Sequence, residues 1–236
     1  PIYNNARRLL NLVNQLLDFR KLEMKGERLR LKMNDMVSFL EEAVRQFTEL
    51  AASREIELSF EPKVERLFMN YDSDKMYKML NNLLSNAFKF TSAHGQVRVT
   101  VEKVSEDGRP YAAIRVEDTG CGIAEKDLPF VFVRFYQTAT EGQPAGQGSG
   151  IGLHLVREYV KLHEGKVTVE SRTGEGTAFT LYIPTDLHGG GAAPAAEEKA
   201  EYRDEESEIH DMPPTETGRK LSLIHISEPT RRSYIS

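Results

Sequence analysis

Three polar side chains in this sequence fall on one face of a helix. In the run Leu80–Thr91, Asn82, Asn86 and Lys89 stand at i, i+4 and i+7. Carboxamide oxygens suit a hard cation such as Mg²⁺, and a lysine beside them suits phosphate oxygens. The same spacing also describes a solvated face, and asparagine is a poor helix former. Downstream, Asp118-Thr119-Gly120-Cys121-Gly122-Ile123 follows a strand that ends near Glu117. An aspartate there can accept a hydrogen bond from an exocyclic amine, with Gly120 and Gly122 letting the backbone approach a flat ring. Many turns share that form. The run Gly146–Leu153 passes from a glycine-rich loop into a helix, where free N–H groups and the positive helix end favour phosphate. A dinucleotide-binding fingerprint should follow a strand directly; a long irregular segment precedes this one, so that reading fails. Gly174-Glu175-Gly176-Thr177 fits a simple hairpin turn.

The elements that must position these residues follow from periodicity. Tyr3–Met24 reads as a helix, with Leu9, Leu12, Leu16 and Phe19 at three-four spacing and Leu10, Val13 and Leu17 widening the stripe. So wide a stripe fits a helical bundle or an amphipathic helix packed on its own domain. Arg28–Met33 alternates like a strand, and Asn34 or Asp35 can cap a helix running to about Arg54. Strands are expected at Ile56–Glu61 and Arg66–Asn70, then a helix over Ser73–Thr91 with Met76, Leu80, Leu84 and Ala87 facing a sheet. Paired strands follow at Gln96–Val104 and Tyr111–Asp118 around Glu106-Asp107-Gly108. Ala124–Gly148 is polar and without period, and its length and glycines predict a mobile lid. A helix from about Ile151 to His163 and strands at Lys166–Ser171 and Thr177–Ile183 complete the pattern. The expected class is α+β: a two-layer sandwich of one mixed sheet and three main helices, with an N-terminal bundle helix.

Composition bounds the function classes. Of 236 residues, 39% are hydrophobic and 28% charged, as in a globular domain with solvated ends. A net charge of −5 with no Lys/Arg run argues against a nucleic-acid binder. The single cysteine, Cys121, excludes an internal disulfide and fits a reducing, cytoplasmic setting. No apolar run has bilayer-spanning length; if the parent protein is anchored in the inner membrane, its anchor is expected upstream of Pro1. Beyond Asp186 the chain turns into glycine, alanine, proline and acidic residues, a linker composition.

Taken in order, the Asn-rich helix, Asp118–Ile123, the Phe130–Tyr136 segment, Gly146–Leu153 and Gly174–Thr177 resemble the N, G1, F, G2 and G3 boxes of the sensor histidine kinase catalytic domain. The resemblance spans about Leu31–Pro184. It implies a Bergerat-type ATP site, the fold shared with DNA gyrase, MutL and heat-shock chaperone ATPases. On that resemblance Asn86 is the Mg²⁺ ligand, Asn82 its neighbour, Lys89 a phosphate contact and Phe90 the aromatic beside adenine. Asp118 accepts the adenine amine, Gly120 and Gly122 shape its pocket, and Phe132 and Phe135 anchor the lid. Gly148, Gly150 and Gly152 form the hinge and phosphate cradle; Ile123, Ser149, Ile151, Leu153 and Thr177 complete the nucleotide contacts. Val133 departs from the acidic residue often found there. Hydrolytic members of the superfamily carry a glutamate where this chain has Asn82, and an asparagine cannot take the proton of an attacking water. Transfer to a protein acceptor is therefore favoured.

The same resemblance makes residues 1–26 the second helix of a dimerisation and phosphoacceptor hairpin, residues 27–186 the catalytic domain, and residues 187–236 an acidic linker with a truncated or artefactual tail. Arg219–Ile224 reads as a receiver-domain strand whose aspartates do not follow. Of the six histidines, His163 and His210 each precede an acidic residue, neither with a basic-Thr-Pro stretch after it, and His163 reads as a structural residue at a helix end. The first hairpin helix with its acceptor histidine is not in this sequence, so self-phosphorylation is not expected. Implied partners are ATP, the histidine-bearing hairpin and a response-regulator receiver domain, with a homodimeric parent. A serine-directed kinase of the anti-sigma type and a nucleotide-binding module without transfer activity are the competing readings.

Overall fold

The computed structural model describes residues 28–137 and 149–188, together with residues 10, 13, 15–18, 20 and 22, which are helical. The expected tail strand at Arg219–Ile224 and residues 138–148 of the expected lid, Gly148 among them, lie outside the described residues.

Two sheets organise the described residues. A five-stranded sheet runs in the order β2 (Glu57–Pro62), β4 (Gln96–Glu106), β5 (Arg109–Asp118), β7 (Gly176–Pro184), β6 (Lys166–Arg172). The β2–β4 pair is parallel and the other three are antiparallel, so the sheet is mixed, as expected. A small ribbon pairs β1 (Lys32–Asp35) with β3 (Phe68–Tyr71). Alternation does the layering: Val97, Val99, Val101, Ile114, Val116, Leu181 and Ile183 are buried under the helices. The opposite face carries Arg98, Arg115, Glu117 and Glu170, cross-linked by ion pairs.

Four helices cover the apolar face: α1 (Met36–Arg45), α2 (Thr48–Ser53), α3 (Ser73–Phe90) and α4 (Gly152–Leu162). Asp35 caps α1, accepting from Val37 N at 3.1 Å, and the same oxygen accepts from Leu67 N at 3.0 Å. One helix to Arg54 was expected, but the chain breaks at Gln46–Phe47. The Phe47 ring turns inward to stack on Phe88, with centroids 5.6 Å apart, and Phe47 N bonds back only three residues to Val44 O. The first strand also starts later than Arg28, because the Arg30 N–H is taken by the Asp72 carboxylate at 2.9 Å rather than by a ladder. Among the described residues no helix is long and apolar enough to cross a membrane.

Candidate nucleotide site

Helix α3 is fixed at both ends before it can present anything. Asp72 caps its start, accepting from Asp74 N, Lys75 N and Lys75 Nζ at 3.1–3.2 Å, which holds its carboxyl below the usual range against its burial. At the other end Thr91 Oγ1 donates to Ala87 O at 2.7 Å and Arg54 donates to Phe88 O at 2.9 Å. Met76, Leu80, Leu84 and Ala87 are buried, as their spacing predicts. Asn82, Asn86 and Lys89 are left half-buried on the remaining face. Asn86 makes no side-chain hydrogen bond among the described residues. Asn82 Nδ2 donates back to Lys78 O at 2.8 Å, which aims its Oδ1 away from the helix. The Lys89 ammonium lies over the Phe90 ring, 4.4 Å from its centroid.

Asp118 ends β5 and is only 7% exposed. Its Oδ1 accepts from Gly120 N at 2.8 Å, which folds the following loop around the carboxyl. Burial pushes this carboxyl up to about 6, more strongly than the Gly120 and Thr177 N–H groups pull it down. The loop sits on the end of α3, where Cys121 N donates to Phe90 O at 3.4 Å. Its far side is held by Ser171: Ile123 N donates to Ser171 Oγ at 2.8 Å, and that hydroxyl donates to Gly176 O at 2.7 Å. Thr177 Oγ1 lies 2.9 Å from the same oxygen. Ser171 was not singled out in the sequence, where an isolated serine near a strand end carries no signal. Gly176 is more than a turn residue. With φ +115° its Cα faces the Asp118 carbonyl so closely that a Cβ would overlap it.

The C-terminal end of the glycine loop meets α3. Ser149 Oγ accepts from Ile151 N at 3.2 Å as α4 begins, and Ile151 is buried while Leu153 packs against the core. A Cβ on Gly152 would stand 2.5 Å from Asn82 Oδ1, so a larger residue here would push the Asn82 carboxamide aside where α4 begins against the asparagine face. The aromatic pair divides its labour. The Phe132 ring packs edge-on against Phe179 at 6.0 Å, whereas the Phe135 ring is 61% exposed. Phe135 meets the loop through its backbone, donating from N to Gly150 O at 2.9 Å.

Four segments far apart in sequence therefore converge: the asparagine face of α3, the Asp118 loop, the Ser149–Leu153 turn and the Gly176–Thr177 strand start. Residues 71–187 match the family described as histidine kinase-, DNA gyrase B- and HSP90-like ATPases. These residues belong to that family. Histidine kinase P4 of Formosa agariphila is 33% identical over 186 residues, which is 78% of this chain and 13% of that protein. Hybrid signal transduction histidine kinase D of Dictyostelium discoideum is 35% identical over 184 residues, 78% of this chain and 12% of that protein. The chain thus spans a small part of the relatives it matches. The crystal structure of full-length ShkA in complex with AMPPNP superposes with a TM-score of 0.67 at 28% identity, over 77% of this chain and 36% of that one. The domain is an ATP-binding catalytic domain of the sensor histidine kinase type.

Proposed function

We propose that this domain takes the γ-phosphate of Mg-ATP and passes it to a histidine on a dimerisation hairpin, of which residues 1–26 form the second helix. The observation that carries the reading is the residue at the base position. Asn82 faces the start of α4 with an amide, which cannot accept a proton from water, so the site favours an acceptor that brings its own nucleophile. In the transfer the acceptor imidazole nitrogen bonds to the γ-phosphorus as the bond to the ADP oxygen breaks.

Asp118 receives the adenine amine, with Gly120, Gly122 and Ile123 below the ring and Phe90 beside it. Lys89, Ser149, Gly150, Ile151, Gly152 and Leu153 face the phosphates, and Thr177 closes the Asp118 side. The Asn86 carboxamide is a hard oxygen donor with no partner among the described residues, which suits one Mg²⁺ ligand, the others coming from phosphates and water. When bound, the ion neutralises phosphate charge. The exposed side chains of Leu10, Val13, Leu16 and Leu17 on the N-terminal helix support a bundle partner, and a homodimeric parent with a response regulator downstream follows from that assignment. A cytoplasmic placement, with the parent anchored in the inner membrane, goes with the same reading.

The test is radiolabelled ATP with this chain and a separately produced hairpin bearing the histidine. Label on the hairpin that is lost in acid and kept in base is the expected result. Acid-stable label points to the serine-directed alternative, and release of free phosphate without label rejects transfer.

A further inference from the structure

The N-terminal helix is fastened to the nucleotide site at two points. Gln15 Oε1 accepts a short hydrogen bond from Ser149 Oγ at 2.6 Å, and Gln15 Nε2 reaches Asn82 Oδ1 at 3.5 Å, the outer limit of such a contact. Three residues on, Asp18 Oδ1 accepts from Lys78 Nζ at 2.8 Å, one helical turn before Asn82. The 15-to-18 spacing puts both anchors on one face of the N-terminal helix, while Leu16 and Leu17 between them stay exposed. Lys78 and Asn82 are likewise one turn apart on α3, so the two helices match along a single edge.

We propose that this contact is a latch through which the N-terminal helix and the terminal phosphate of ATP compete for the same polar groups, so that loading the site releases the helix. The proposal rests on the nucleotide-site reading. Ser149 has one hydroxyl proton, and it is committed to the Gln15 carbonyl, while the Ser149 oxygen holds Ile151 N. A phosphate oxygen carries only acceptors and can take that proton only when Gln15 leaves. Asp18 adds a like charge on the same edge, which disfavours a docked helix and a γ-phosphate together.

The experiment measures Mg-ATP and Mg-ADP affinity calorimetrically for the chain of 236 residues and for Gln15→Ala and Asp18→Asn, with thermal melting as the fold control. Removing one net hydrogen bond that competes with ligand should tighten Mg-ATP by about three- to tenfold, and Mg-ADP, which lacks the terminal phosphate, by less. Hydrogen exchange of residues 10–22 should quicken on adding Mg-ATP to the unaltered chain. Unchanged or weaker Mg-ATP binding in folded Gln15→Ala overturns the latch, as does equal tightening for both nucleotides or slower exchange of the helix. If the unaltered chain binds neither nucleotide, the site reading itself fails and the latch goes with it.

Discussion

At the scale of single residues, Asp118 sets a pH dependence whose sign can be worked out. Its carboxyl ionises near 6 in the fold against 3.8 ordinarily, so between those values the folded state holds a proton that the unfolded chain has lost. This contribution to stability is complete below about 4 and fades as pH rises through about 6, worth on the order of 2–3 kcal/mol. An amine donor wants the carboxylate, so ATP affinity should climb from pH 5 to pH 7 with an inflection near 6, read by calorimetry. Asp118→Asn should flatten that profile and weaken ATP by roughly ten- to a hundredfold, the loss of a charge-assisted bond of about 1.5–3 kcal/mol. GTP, whose base carries a carbonyl oxygen where adenine has that amine, should not share the loss. Asn86 makes a different expectation. Asn86→Ala should weaken Mg-ATP binding markedly and leave binding of ATP in excess chelator nearly unchanged. Equal effects in both conditions would take Asn86 out of the metal site.

Between elements, the tie from α4 to α3 is a buried histidine. His163 is 0% exposed; its Nδ1 donates to Tyr159 O at 2.8 Å and its Nε2 accepts from Asp72 N at 3.2 Å. Both ring nitrogens are thus used by the neutral form, and burial lowers the imidazole below its ordinary 6.5. The sign here is the reverse of Asp118: the unfolded chain takes up a proton first as pH falls below 6.5, so this tie is complete above that value and weakens below it. His163→Gln should cost about 1–3 kcal/mol at pH 7.5 in urea unfolding. Its deficit should shrink at pH 5.5, because the wild-type tie has weakened there while the Asp118 contribution is common to both proteins. A deficit that grows toward low pH would mean that His163 is charged in the fold. Because the pair Asp72 and His163 joins the start of α3 to the end of α4, such a loss should also loosen the spacing between Asn82 and Gly152.

For the molecule as a whole, the expected outcome is binding without self-labelling. Of the histidines, His163 is locked in the core and His154 lies on α4 with its ring against Phe132 O at 3.3 Å, neither presented as an acceptor in line with a phosphate. Incubation with radiolabelled Mg-ATP should leave the chain without acid-labile phosphate, and Asn82 should keep hydrolysis slow. Self-labelling stable to base would show that one of these histidines, or one outside the described residues, is the acceptor. A supplied hairpin should be labelled only if it displaces or joins the N-terminal helix at its exposed leucines.

Local chemistry is what the sequence could display. Helix α3 and its polar face were legible because 3.6-residue periodicity is a property of neighbouring residues, whereas its caps at Asp72 and Thr91 were seen only in the fold. The sheet strands were legible to within two residues from alternation, and the order of the glycine motifs pointed to the site before any fold was known. What the sequence could not display is distance between segments. The break at Phe47 depends on Phe88, 41 positions away, and the start of β1 on the carboxylate of Asp72. Gly176 reads as an ordinary turn until the Asp118 carbonyl is seen against it, and Ser171 as an ordinary serine until Ile123 and Thr177 meet on its hydroxyl. Gln15 is one polar residue among many on an amphipathic helix until Ser149 lies beneath it, because a hydrogen bond across 134 positions has no local pattern and exists only once packing has fixed both ends.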